Sequence, residues 1–275
     1  MTVIAMTREM GTLGKDVAQG IADTLGLKVI HSELVEHDLA GKLELEESAV
    51  HRFLEGGASR LERWRVDKNK LARCTAEEML ELAQQGDVVI RGWGAVSVLR
   101  KLPHVLRVRV CAPMSFRERV MMDRLERQEP NVARGEIEKN DAAHSELLRR
   151  LFKINWEDPQ LYHVVLNTGA VPIDTCVRTI RSLTDDPAFK ETESSRVMLT
   201  DMLIEHRVRS ALSQKFGAPA DIDVNVTDGR LVLRGTAGVV GNWRLRDVAE
   251  VCRAIVGVKS VENNITESNV LIGGA

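Results

Sequence analysis

The sequence predicts an α/β domain, a parallel sheet with flanking helices, followed by a small α+β unit of order αββαβ. Three features carry this reading. Short apolar runs alternate with longer helical stretches from Val3 to about Leu183, the pattern of strands joined by crossover helices. A polar, aperiodic stretch then interrupts the chain near Asp185-Asp186-Pro187 and Glu191 to Ser195. Beyond it, two alternating runs flank Asp228-Gly229, a strong hairpin signal because tight primed turns need positive φ.

The expected strands of the first domain are Val3 to Met6, Lys28 to Ile30, Asp87 to Ile90, Val105 to Val110 and His163 to Leu166. After the first, Val17, Ile21, Ala22 and Leu25 recur at helical spacing, which predicts a helix over 15–25. Trp64 and Met79 belong to helices expected between the second and third strands. In the second unit the expected elements are a helix over 201–216, strands over 222–226 and 231–235, a helix over 242–255 and a last strand over 259–266. The domains are therefore set at 1–183 and 199–267, with a linker over 184–198.

Composition narrows the function. With 44% hydrophobic and 28% charged residues the chain is a folded protein rather than a disordered one. No apolar run reaches the roughly 20 residues a bilayer span needs, and the first residues lack the basic start and apolar stretch of a secretory signal, so a cytoplasmic protein without a transmembrane segment is expected. A net charge of -2 gives no overall bias toward nucleic acid, and no nucleic-acid partner is expected. Cys74, Cys111, Cys176 and Cys252 lie too far apart for a zinc pair or a disulfide framework, and the histidines form no ligating pair; no metal site is assigned to side chains.

The first strand runs into Thr7-Arg8-Glu9-Met10-Gly11-Thr12-Leu13-Gly14-Lys15-Asp16 and then a helix, the place where backbone N–H groups bind a phosphate. Against GxxxxGK[ST], Gly14-Lys15 fit, but Glu9 stands at the first glycine and Asp16 at the Ser/Thr that touches magnesium. Spacing alone leaves two readings open, a degenerate phosphate loop and a strand-to-helix turn without a ligand. In the first, the candidate binding residues are Arg8, Gly11, Thr12, Leu13, Gly14, Lys15 and Asp16, and Lys15 is the best single ligand candidate.

Val3 to Lys15 resembles the opening of the cytidylate kinase-like proteins, a strand followed by S-R-E-F-G-S-G-G-R. Val88 to Ala95 resembles the family's V-I-V-G-R-G-A, and Val105 to Arg117 its V-L-R-V-x-I-x-A-P-x-x-x-R. Asn155 to Tyr162 is similar to D-W-x-D-P-x-x-Y, and Leu166-Asn167-Thr168-Gly169 to I-N-S/T-G. The resemblance spans about 2–183. It implies a P-loop nucleoside monophosphate kinase fold with five parallel strands and an arginine-bearing lid near 117–153, moving a phosphoryl group from ATP to CMP or dCMP with Mg2+.

Such transfer is catalysed mainly by positioning and by cations around the moving group. The resemblance therefore directs attention to Arg8, Arg117, Arg119, Arg124 and Arg127, with Lys15, Arg117 and Arg124 as the candidate catalytic set; the competing reading of these arginines is a solvated helix pair. Three positions depart from the family pattern: Trp93 replaces the arginine of G-R-G, His31 replaces the aspartate after the second strand, and His144 replaces the arginine of the lid's D-x-x-R at Asp141-Ala-Ala-His144. Each swaps a charged group for a neutral or titratable one, so nucleotide binding is favoured over turnover.

The second unit resembles a BON domain, on Ile222 to Val226, Asp228 to Gly235, Ala249 and Gly257 to Ile265. That resemblance implies a small bacterial module binding a phospholipid, another small ligand or a protein, without a catalytic centre. Trp243, Arg244, Arg246 and Arg253 are its candidate contacts, weighed against a helix whose inner face is Leu245, Val248, Ala249 and Cys252. The expected function is a nucleotide-binding, cytidylate kinase-like protein joined to this module. The alternatives are a catalytically inactive sensor or scaffold derived from a kinase, and a purely structural protein.

Overall fold

The computed structural model describes residues 1–30, 39–41, 46, 48, 50, 68–92, 94–126, 129–216, 222–237 and 245–267. His31, Trp64, Trp93, Arg127, Trp243, Arg244 and the side chain of Arg246 lie outside the described residues. The chain divides into two compact units, Met1–Thr192 and Glu193–Ala275.

In the first unit, β1 (Val3–Arg8), β2 (Lys28–Ile30), β3 (Val88–Arg91), β4 (Val105–Cys111) and β5 (Val164–Asn167) form a five-stranded sheet of order β2-β3-β1-β4-β5, with every neighbouring pair parallel. β1 occupies the centre because Val3, Ile4, Ala5 and Met6 are apolar on both faces, as a strand covered by helices on both sides requires. α1 (Gly14–Leu25) returns the chain from β1 toward β2. α2 (Lys68–Gln85) precedes β3, and a short helix α3 (Ala95–Val98) follows it. α4 (Met114–Leu125) and α5 (Pro130–Phe152) form a helical pair between β4 and β5, and α6 (Ile173–Asp185) closes the unit.

Val17, Ile21 and Ala22 of α1 pack with Cys176, Val177 and Ile180 of α6 and with Ile4, Met6 and Val108 of the sheet. Ile21 and Ala22 continue the spacing that Val17 begins, so one face of α1 faces the sheet and the other faces solvent. The connection leaving β1 runs toward β2 while that leaving β4, its neighbour, runs toward β5 on the opposite side. The carboxyl ends of β1 and β4 therefore part company, which opens a crevice at the top of the sheet where such folds place their ligands.

The second unit has the element order αββαβ: α7 (Glu193–Phe216), β6 (Ile222–Thr227), β7 (Arg230–Ala237), α8 (Leu245–Arg253) and β8 (Ser260–Glu267). β6 and β7 are antiparallel, β7 and β8 parallel. The hairpin turn has positive φ at both Asp228 (49°) and Gly229 (73°), the primed geometry that Asp-Gly favours. Leu231, Leu233, Val224 and Val226 alternate onto the face that meets Ile204, Val208, Leu212, Val248 and Cys252.

α7 begins at Glu193, eight residues before the periodicity predicts. The extra turns carry good helix formers in Glu193, Arg196, Met198 and Leu199, and Ser195 and Leu199 are buried, so propensity and packing together extend the helix to Glu193. The buried carboxylate of Asp201 on α7 accepts from the backbone N–H groups of Asp228 (2.7 Å) and Gly229 (2.8 Å). One turn on, Glu205 accepts from the N–H of Val226, and Arg209 donates to the carbonyl of Val224. These side chains close the outer edge of β6, which is otherwise a template for foreign strands. Asp201→Ala is expected to destabilise the second unit by about 2 kcal/mol, since two N–H groups at the turn lose a charged acceptor; urea unfolding followed by far-UV circular dichroism measures it, and an unchanged midpoint contradicts the role.

Candidate phosphate-binding site

The chain between β1 and α1 turns sharply at Gly11 (φ 78°) and again at Leu13 (φ 55°), both left-handed. Gly11 is required by space as well as by φ: a Cβ there would lie 2.8 Å from the carbonyl oxygen of Arg117. A Cβ at Gly14 would lie 2.8 Å from Cβ of Arg8, so the bare helix start lets the Arg8 stem lie against it.

Almost every carbonyl of this loop is held by a donor. That of Glu9 accepts from Thr12 Oγ1 (2.8 Å), that of Met10 from Arg117 Nε (2.6 Å), that of Thr12 from Thr168 Oγ1 (2.6 Å), and that of Leu13 from the N–H groups of Asp16 and Val17 (3.0 and 3.1 Å). In a trans peptide the N–H points opposite to the C=O. The amides of Met10, Gly11, Leu13 and Gly14 are therefore turned away from those donors. Among the described residues no hydrogen bond engages the N–H of any residue from Met10 to Lys15, and the helix start has no side-chain cap. A run of unpaired amides at a helix N-terminus with left-handed residues inside it is the arrangement that coordinates an anion.

Glu9 does not occupy this loop. Its carboxylate takes Arg109 Nη2 at 2.6 Å on one oxygen, and on the other lies 3.5 Å from Arg117 Nη1 and 3.4 Å from the N–H of Ala112. Both arginines are buried, at 7% and 6% side-chain exposure. Arg109 also donates to the carbonyl of Trp156 and lies 4.7 Å above its ring, while Tyr162 Oη donates to the same carbonyl (2.6 Å). Trp156 is thus core, 2% exposed, and not a ligand platform. Burial raises the Tyr162 hydroxyl pKa, and burial with the nearby Glu9 carboxylate raises that of the Cys111 thiol, which keeps both protonated beneath the loop.

Of the expected catalytic set, Arg117 touches the loop, Lys15 follows it on α1, and Arg124 lies at the far end of α4. Lys15 and Asp16 are exposed on the first turn of α1, and neither forms an ion pair among the described residues. Arg117 is 5% exposed, and its guanidinium is engaged at each nitrogen: Nε on the Met10 carbonyl, Nη2 shared between the two oxygens of Asp141 (2.9 and 2.7 Å), Nη1 toward Glu9. Its geometry is that of a brace for the loop. Arg124 is exposed in the last turn of α4, and Arg119 is exposed beside Phe116. Arg8 remains at the loop through its contact with Gly14.

His144 stands within 5.0 Å of the Trp156 ring, partly buried on α5. Burial, then the charges of Arg8 and Arg109, push its pKa down to about 4. The imidazole is neutral at pH 7, so it supplies no charge to an anion. Its folded pKa lies below the roughly 6.5 of an unfolded histidine, so the unfolded chain takes up the proton first as pH falls. Stability is expected to drop from about pH 6.5 toward pH 4, and His144→Gln to flatten that slope. Urea midpoints across this range test it; equal slopes in the two proteins would refute the assignment.

Sequence reading located the loop but not its braces. Glu9 read as a defect in a motif, and Arg109, Asp141 and Thr168 carried no role. One signal was available: Arg107 and Arg109 interrupt the apolar run Val105 to Val110, and an arginine in a central strand calls for a carboxylate partner. Nothing in the spacing identifies that partner as Glu9, a hundred residues away.

The sequence model of the cytidylate kinase-like family matches residues 3–170. The chain belongs to that family. No curated protein sequence matches it. Among solved structures, an uncharacterized protein from Eubacterium ventriosum ATCC 27560 is similar at 19% identity and a TM-score of 0.53, over 68% of this chain and 99% of that one. A shikimate kinase from Acinetobacter baumannii, solved with shikimate, aligns at 14% identity and a TM-score of 0.38 over 66% of this chain and 92% of its own. The YorR protein of Bacillus subtilis, in complex with phosphorylated GDP, aligns at 15% and 0.40 over 70% and 100%. The first of these likenesses is one of fold. The first unit accordingly has the kinase-like α/β fold of the cytidylate kinase-like family, with the loop of residues 9–14 at the carboxyl edge of its central strand. Among the described residues no helix is long and apolar enough to cross a membrane.

Proposed function

We propose that the first unit binds the phosphate chain of a nucleotide, with the amides of Met10 to Lys15 as its principal donors and Arg8, Thr12, Leu13 and Lys15 at its border. The observation that carries this reading is the loop in which four carbonyls are held, those of Met10 and Thr12 from outside it, while six consecutive amides have no partner among the described residues. ATP is the donor nucleotide this reading takes, and CMP or dCMP the acceptor. Asp16, at the helix start, is the type of carboxylate ligand that Mg2+ shares with water and phosphate oxygens, and the metal would supply charge neutralisation between the phosphates. The second unit is read as a BON module that binds a small ligand, a phospholipid or a protein, and the protein as cytoplasmic.

Binding without transfer is the form of this proposal that the geometry favours. Arg117 is committed to Glu9, Met10 and Asp141, and the lid position held by His144 carries a neutral ring, so among the described residues Arg8 and Lys15 are the cations at the loop. Calorimetric titration with ATP, followed by coupled assays on CMP, dCMP, UMP and AMP, tests it beside Lys15→Ala. ATP binding weakened by Lys15→Ala, with no diphosphate formed, supports a nucleotide sensor. Turnover on CMP makes the protein a kinase. Failure of both ATP and the monophosphates to bind overturns the proposal.

A further inference from the structure

Met10 is tied to the helical pair α4–α5 twice. Its carbonyl is gripped by Arg117, which Asp141 of α5 chelates through both carboxylate oxygens. Its side chain packs with Met114, Met121, Met122, Ala133 and Ile137, a small cluster separate from the main core. The two ties differ in stiffness. Thioether side chains repack at little cost, so the cluster tolerates a shift of the helices, whereas a planar guanidinium held at all three nitrogens, by Met10, Asp141 and Glu9, does not.

From this we infer that Asp141 is a positioning residue for the phosphate loop: acting through Arg117, it fixes the Met10–Gly11 peptide so that the Gly11 N–H faces the bound anion, and anion binding in turn fixes α5. The inference rests on the loop being the phosphate site. Arg117 cannot hold this plane alone, because without Asp141 its Nη2 loses its acceptor and the guanidinium is free to swing toward Glu9. The coupling is reciprocal, since a helix that favours the binding form of the loop is itself favoured by the ligand.

The test uses the full chain, pyrophosphate as probe, and the variants Asp141→Asn, Arg117→Lys and the pair together. Asp141→Asn is expected to weaken pyrophosphate binding roughly tenfold, within the usual range of such couplings. The double variant should bind no more weakly than the worse single one, because the residues act in series. Amide hydrogen exchange supplies a readout independent of ligand: in the unliganded chain, Asp141→Asn should speed exchange over residues 10–14 and leave β6 to β8 unchanged. Asp141 is 25% exposed, so this variant carries the decision if Arg117→Lys fails to fold. Unaltered affinity with unaltered loop exchange, or additive losses in the double variant, overturns the inference. Absence of pyrophosphate binding in the parent chain sinks the phosphate-site reading instead, and exchange over residues 10–14 then decides the role of Asp141.

Discussion

Glu9→Gly, which moves the loop toward the GxxxxGK pattern, is expected to destabilise the protein by about 3–5 kcal/mol, the usual result of removing one partner from a buried ion pair. Arg109 and Arg117 are nearly inaccessible to water and share this carboxylate with the N–H of Ala112. Asp141 compensates one guanidinium and, among the described residues, no other carboxylate compensates the second, so a net positive charge is left under the sheet edge. Glu9→Gln separates shape from charge: it preserves volume and one acceptor, and should cost less. Denaturant unfolding of the three proteins measures the series, and a Glu9→Gly protein as stable as its parent would show that the arginines find other acceptors.

Gly11→Ala is expected to cost about 3 kcal/mol and to abolish measurable pyrophosphate binding. The left-handed conformation alone costs a residue with a Cβ about 1–2 kcal/mol. The rest comes from overlap with the carbonyl oxygen of Arg117 at 2.8 Å, a backbone atom at the first turn of α4 that cannot move aside as a side chain would. Gly92 is the internal control. Its φ is 88°, comparable to the 78° of Gly11, yet among the described residues no atom lies within 4 Å of a Cβ built on it. Gly92→Ala should therefore show the conformational cost alone. The difference between the two variants in thermal unfolding reads the collision directly, and equal costs would mean that the loop yields without strain.

These expectations share a physical basis. An anion site made of backbone amides needs its peptide planes fixed before the ligand arrives, because an amide free to rotate gives up part of its binding energy to ordering. In this protein the planes are fixed by side chains from β4, α4, α5 and the end of β5, through Arg109 by way of Glu9, Arg117, Asp141 and Thr168. The loop is thus a product of the whole sheet edge rather than of the residues that compose it.

Several features of the chain were legible before any coordinates. The short, continuous apolar run Val3 to Met6, followed by Val17, Ile21 and Ala22 at helical spacing, identifies a strand buried on both faces and a covering helix. Asp228-Gly229 announces its hairpin for the reason that few other dipeptides accept two positive φ angles, and both are found. The start of α7 lies at Glu193 and not at 201 because burial of Ser195 and Leu199 extends the helix into a segment whose polar Glu191 to Ser195 run reads as a linker.

Local sequence determined the strands, the helices, the hairpin and the position of a glycine-bearing turn before α1, all of which depend on periodicity and on φ preferences within a few residues. Tertiary structure alone decided that Glu9 lies under the turn instead of inside it, that Arg117 holds a carbonyl rather than facing solvent, and that Asp141 and Thr168 take part. Those outcomes depend on contacts between residues 24 to 156 positions apart. A buried charge must find its opposite wherever the fold brings one, and no pattern of neighbours along the chain encodes where that will be.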